Sequence, residues 1–151
     1  MFSILLFLMI TFPDSFTWTA QPTNPTEARK GQDLPLTWNF ALTPEEQRKS
    51  QSFYAIVWRK LNHSTSTYKT IASKSFLQAF GINYAEPFNP HIVIIRGGGS
   101  DSVTLQISDV RNDDEGSYKI EYSLETSGAI LDELEMNLTV VGKFYNQDVL
   151  N

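Results

Sequence analysis

Val103, Leu105 and Ile107 recur at every second position, and after a short polar turn Tyr118, Ile120 and Tyr122 do the same. A period of two puts the side chains of a strand on one face, so each triplet belongs to a strand buried on one side. The pattern recurs in Leu34, Leu36 and Trp38, in Ile56 and Trp58 with Lys60 as a further position, and in Leu134, Met136, Leu138 and Val140. Weaker strand candidates are residues 68–71 and 76–80, and HIVIIRGGG (91–99) is a β-branched run closed by glycines. Helical periodicity is confined to LTPEEQRKS (42–50), with Thr43 placed to cap a short helix and Pro44 to open it. Several short strands bounded by turn residues predict an all-β sandwich or barrel.

At 151 residues, 41 % of them hydrophobic and 13 % aromatic, the chain can bury one core of ordinary size. A net charge of -5 without a concentrated basic face excludes a nucleic-acid partner. Residues 2–12 (FSILLFLMITF) form an uncharged apolar run. It is shorter than the about 20 residues that span a bilayer, and it lies where a secretory signal would. The expected division is therefore a leader over 1–16, cut between Ser15 and Ala20, a domain over 17–141, and a linker or tail over 142–151. A buried N-terminal strand or helix is the other reading of that run. No second apolar stretch follows, so membrane attachment would need a segment outside these residues. Pro22 and Pro25 suit an edge strand that breaks and bends.

The chain has no cysteine, although small secreted domains commonly carry disulfides. Either the protein stays in the cytosol and the apolar start misleads, or the core holds without a cross-link.

Three stretches carry a family resemblance: GQDLPLTW (31–38), VWRK around Trp58, and VTLQISDVRNDDEGSYKI (103–120). Together they resemble an immunoglobulin-like domain of the variable type over nearly all of 17–141. In that resemblance Trp38 and Ile120 stand where the family has its two cysteines, and Trp58 is similar to the tryptophan that packs on the bridge. The resemblance implies an immunoglobulin-like two-sheet antiparallel sandwich of variable type, with Leu36, Trp38, Trp58, Leu105, Ile107, Tyr118, Ile120 and Leu138 in its core. The long stretch between Trp58 and Val103 leaves room for the two additional strands of that type. It also implies a tyrosine corner of Asp114, Gly116 and Tyr118, the phenol buried and its hydroxyl bonded back to the turn. Asp114 would pair with a basic residue, for which Arg96 is the nearest candidate.

Pro35 should fall at a strand start, an edge or a bulge, because it has no N–H for a ladder. A lost disulfide costs about 2–5 kcal/mol. Burying about 200 Å² of tryptophan contributes roughly 5 kcal/mol as an upper estimate, and a buried isoleucine roughly 1.5–3 more. Trp38, Trp58 and Ile120 are therefore expected to form an apolar plug in place of the sulfurs.

No catalytic or metal constellation stands out, so neither an enzyme nor a cofactor is expected. His63 and His91 are far apart without a carboxylate at ligand spacing and are expected at the surface. Gly97, Gly98 and Gly99 lack the Lys-Ser/Thr of a phosphate loop. Asp113, Asp114 and Glu115 are consecutive, and three neighbours in a turn cannot all face one ion. Two glycosylation sequons stand at Asn62 and Asn137, the latter with outward parity.

Variable-type domains recognise partners with the outer face of one sheet, which here would present Val57, Arg59, Tyr68, Lys119, Glu121, Glu133 and Glu135. The loss of both cysteines resembles the ectodomains of cnidarian allorecognition and related invertebrate receptors, whose outermost variable-like domain binds its own kind. These resemblances imply an extracellular recognition module of a cell-surface adhesion or self-recognition receptor, with a protein partner that includes a second copy among the candidates. The alternative is a soluble secreted binder of a foreign glycan or protein.

Overall fold

The structure is a computed structural model that describes residues 15–49, 54–75, 82–84, 91–96, 102–124 and 127–142. It is mostly β-strand in two sheets. The expected strand over 76–80, the triple glycine, the apolar run over 2–12 and the tail beyond Gly142 lie outside the described residues.

The first sheet has the strand order β1-β3-β8-β7, built from β1 (Thr17–Ala20), β3 (Leu34–Ala41), β8 (Ser102–Ile107) and β7 (Ile92–Arg96). The second has the order β2-β10-β9-β4-β5-β6, from β2 (Thr26–Arg29), β10 (Ile130–Val141), β9 (Gly116–Leu124), β4 (Tyr54–Asn62), β5 (Thr67–Ser75) and β6 (Ile82–Tyr84). The expectation of wholly antiparallel sheets needs one correction: β2 runs parallel to β10, with Thr26 beside Leu138 and Arg29 beside Val141. The chain leaves β1 in one sheet and enters β2 in the other within five residues, and that crossover sets the direction in which β2 meets β10.

Alternation decides which side of each strand is buried. Leu36, Trp38 and Phe40 of β3, Val103, Leu105 and Ile107 of β8, Ile56 and Trp58 of β4, and Tyr118, Ile120 and Tyr122 of β9 all face one core. Met136 and Leu138 of β10 join them. Trp38 from the first sheet meets Trp58 from the second edge to face, with centroids 6.5 Å apart and planes at 61°. Ile120 is the ladder partner of Trp58 and is 1 % exposed. Trp38 and Ile120 thus lie in the same buried cluster on opposite sheets.

Pro35 is the second residue of β3, exposed and beyond the reach of β1, which pairs only with Asn39, Phe40 and Ala41. Its missing N–H falls at a strand start. Thr43 and Pro44 open the short helix α1 (Pro44–Lys49). The Thr43 N–H donates to Glu46 Oε2 at 2.8 Å and the Glu46 N–H donates to Thr43 Oγ1 at 3.0 Å, the reciprocal box that satisfies the first turn.

Phe16 is buried and stacks on Tyr122 with centroids 3.8 Å apart, so the packing includes the residue before Thr17. A leader ending at residue 16 would remove a ring from the core. Any cut that leaves the core intact falls on the amino-terminal side of Phe16.

Candidate recognition face and the corner beneath it

The outer face of the second sheet is built from the side chains that alternation turns away from the core. In the ladder, Glu135 lies beside Lys119 and Lys119 beside Arg59; one row further, Glu133 lies beside Glu121 and Glu121 beside Val57. Adjacent rows place opposite charges diagonally, and the side chains close on one another. Arg59 Nε donates to both carboxylate oxygens of Glu121 at 2.9 and 2.8 Å, and its Nη1 donates to Thr70 Oγ1 at 2.8 Å. Lys119 Nζ lies 3.1 Å from Glu133 and 3.2 Å from Glu135, and 4.8 Å from the centroid of the Tyr68 ring. The hydrogen bond to Glu133, followed by the one to Glu135, holds the Lys119 ammonium above its ordinary range. Burial, and then the Glu135 carboxylate, raises the Tyr68 phenol.

This geometry corrects one expected contact. Glu121 has outward parity but is only 3 % exposed, because the Arg59 guanidinium lies across its carboxylate. It braces Arg59 from below and offers almost no surface of its own. Arg59 pairs with Glu121, and Lys119 with both Glu133 and Glu135, so the charge of the face is largely spent within the chain.

Apolar surface stands at one end. Ile130 and Leu131, at the start of β10, are 49 % and 48 % exposed. The register shifts between Ile130 and Asp132, so this pair sits on a bulge that turns both side chains out of the core. Both fall within SLETSGAILDE (123–133), the loop that the sequence leaves for contact, and they form a doubled apolar pair that interrupts strict alternation before Leu134. Thr70 was missed, since nothing in sequence marks which hydroxyl will steady an arginine.

Both sequon asparagines lie near this sheet. Asn137 is exposed, its Oδ1 accepting from Ser117 Oγ at 2.8 Å. Asn62 ends β4 and is half-buried; its Oδ1 accepts from the Ser64 N–H at 3.0 Å and from Ser64 Oγ at 2.6 Å, so the sequon folds on itself as a turn.

The second cluster is the corner between β8 and β9, a single 3₁₀ turn at Asn112–Asp114. The Tyr118 hydroxyl donates to the Asp114 carbonyl at 2.5 Å, four residues upstream. Asp114 is buried, and its Oδ2 accepts from the Arg111 N–H at 2.7 Å and lies 2.7 Å from His91 Nε2. One expectation is corrected here. His91 is not a surface residue: its side chain is 8 % exposed and packs on Asp114. His91, just before β7, is a partner of Asp114; the side chain of Arg96, the candidate expected there, lies outside the described residues. The pairing escaped sequence reasoning because the partners are 23 positions apart and meet only when the strands stack. His63 is exposed, as its turn position implies.

Lys60 reaches from β4 to the Asp113 carbonyl, and its ammonium lies 5.4 Å from the Tyr118 ring centroid. Burial lowers its pKa, against the opposing pull of Asp114 and Asp113. The other two acids serve different partners, for Glu115 Oε2 accepts from the Val140 N–H at 2.9 Å. Among the described residues no group of three or more histidines, cysteines or carboxylates could hold a metal ion.

Gly116 closes the corner at φ +135°, and a Cβ there would lie 3.2 Å from His63 Nε2. Gly116→Ala should therefore lower stability by about 1–2 kcal/mol, read from urea melts, through backbone strain more than through the movable imidazole.

Burial raises the phenols of Tyr118 and Tyr122 far above their ordinary value of 10.0, with Asp114 adding to the first and Glu46 to the second. Unfolded phenols ionise near about pH 10, whereas these two hold their protons in the fold. Stability present below that pH should be lost as pH rises past it, because unfolding then releases protons. Of the six tyrosines in the chain, Tyr118 and Tyr122 should show no phenolate absorbance until the fold is lost. Their early titration in the native state would contradict the packing.

No protein-family model matches the chain, and a search of curated proteins finds no match. Among the described residues no helix is long and apolar enough to cross a membrane.

Proposed function

We propose that the chain carries an immunoglobulin-like domain of the variable type that acts as an extracellular, non-catalytic recognition module. In this reading it is the outermost domain of a cell-surface adhesion or self-recognition receptor and works by protein–protein contact. The observation that carries the fold assignment is the strand order. One sheet in the order β1-β3-β8-β7 and the other with two strands, β5 and β6, added beyond β4 match the four-stranded and extended sheets of that type. The tyrosine corner supports it independently.

The functional half rests on the outer face of β10, β9, β4 and β5. Its charges are largely paired within the chain, Lys119 serving two carboxylates, so a partner gains little from them, and contact energy comes from burying Ile130, Leu131 and the Tyr68 ring. The internal pairs fix a rigid platform and make binding tolerant of salt. Beads coated with the purified domain should aggregate, and the double variant Ile130→Asp with Leu131→Asp should cut aggregation at least about tenfold while leaving the melt unchanged; losing two apolar anchors of about 1.4 kcal/mol or more suffices for that. Wild-type beads that stay dispersed at high coating density would remove the homophilic reading.

A further inference from the structure

The first strand is the least secured part of the first sheet. β1 has four residues and meets β3 at three positions, Thr17 with Ala41, Trp18 with Phe40 and Ala20 with Asn39, with a register shift after Trp18. Its hold is aromatic. Phe16 stacks on Tyr122 and on Phe40, and Trp18 meets both Phe16 and Phe40 edge to face. Trp18 Nε1 is buried without a hydrogen-bond partner, so leaving the slot returns that donor to water and offsets part of the cost of opening.

The next strand is fastened. Asn24 Oδ1 accepts from the Asn137 N–H at 3.0 Å, its Nδ2 donates to the Glu135 carbonyl at 3.4 Å, and Thr26 Oγ1 donates to the Thr23 carbonyl at 2.5 Å. Gln21, Pro22 and Thr23 remain as the link between a strand held by rings and one held by a ladder. Pro22 has no N–H and a fixed φ, so the link extends neither sheet. Sheets pack about 10 Å apart, and three residues reach at most about 11 Å, so the link is short. Short links between an element and its own slot favour exchange with a second molecule.

We propose that β1 exchanges between two copies of this chain, each inserting Phe16 and Trp18 into the other's slot. Every contact of β1 is remade in the partner, so the closed and exchanged forms differ in the link and in the entropy of association. Among the described residues the edge of β3 from Leu34 to Trp38 carries no strand on that side, which leaves room for the partner's link. The partner is a second copy because only an identical β1 fits the slot. The proposal does not use the outer face of the other sheet, so either can fail without the other.

The absence of native cysteines makes a clean test. Thr17→Cys with Ala41→Cys introduces two thiols at facing antiparallel positions. Such positions have Cα atoms about 4.5–5.5 Å apart, inside the disulfide range of about 4.4–6.8 Å. The full chain, purified in the form the host releases, is equilibrated over a range of concentrations and then oxidised. Exchange gives covalent dimers in which the thiol introduced on β1 of one chain is bridged to the thiol introduced on β3 of the other, mapped by mass spectrometry. Their ratio to intrachain-bridged monomer rises about tenfold per tenfold increase in concentration. Neither single-cysteine variant gives that bridge. Intrachain bridges alone at every concentration, or unoxidised chains that sediment as monomers throughout, overturn the proposal. Persistence of the interchain bridge in the Ile130→Asp, Leu131→Asp background, with bead aggregation lost, would show the two contacts to be separate.

Discussion

Trp38→Ala is expected to lower stability by about 3–5 kcal/mol in urea melts, the range for truncating a large buried ring in a core that cannot collapse around the gap. The indole is 2 % exposed and meets Trp58 across the space between the sheets, with Ile120 beside Trp58 on the next strand. Removing it leaves a void between two layers that their ladders hold apart. A single domain of this size has about 5–15 kcal/mol to lose, so the variant should be marginal at physiological temperature. A loss under about 1 kcal/mol would mean that the sheets are fastened elsewhere, for instance by the aromatic cluster around Phe16 and Tyr122.

Asp114→Ala ranks second, with an expected loss of about 2–4 kcal/mol as a buried carboxylate that takes two part-buried donors is removed. The carboxylate receives the Arg111 N–H and the His91 ring, and the carbonyl of the same residue receives the Tyr118 hydroxyl. One residue therefore ties the turn to β7 and, through the phenol, to β9. Asp114→Asn keeps an acceptor oxygen and should recover about half of the loss, since a neutral acceptor is roughly half as strong as a charged one. Equal, lowered melts for the two variants would show that a neutral acceptor recovers nothing there, and melts like the wild type for both would show that neither the charge nor the acceptor matters at the corner.

What sequence made legible was whatever depends on period and local turn chemistry. Alternation identified the inward sides of β3, β8, β9 and β10, because a strand buried on one face has no other way to write its pattern. Thr43 with Pro44 marked the helix start through requirements local to four residues. The long-range pairings were less accessible. His91 read as a surface residue because its partner is 23 positions away, and Glu121 read as a contact residue because parity reports direction and not what lies across the side chain. Arg59 covers it, and that cover depends on the register between β4 and β9. The parallel pairing of β2 with β10 was hidden for a similar reason: four residues with a single alternation carry no sign of strand direction.

The face and the core are also coupled. β4 and β9 carry Trp58 and Ile120 on one side and Arg59, Lys119 and Glu121 on the other. A core that fixes their register fixes the ion-pair lattice above it. Loosening the buried rings would therefore loosen the ion pairs on the outer face.

The most direct measurement is a double-mutant cycle across the two sheets, using Trp38→Leu, Trp58→Leu and the pair together in equilibrium urea melts. Contact between the rings predicts a coupling of at least about 1 kcal/mol, with the double variant less destabilised than the sum of the singles. Additivity within about 0.3–0.5 kcal/mol would contradict a plug that joins the layers.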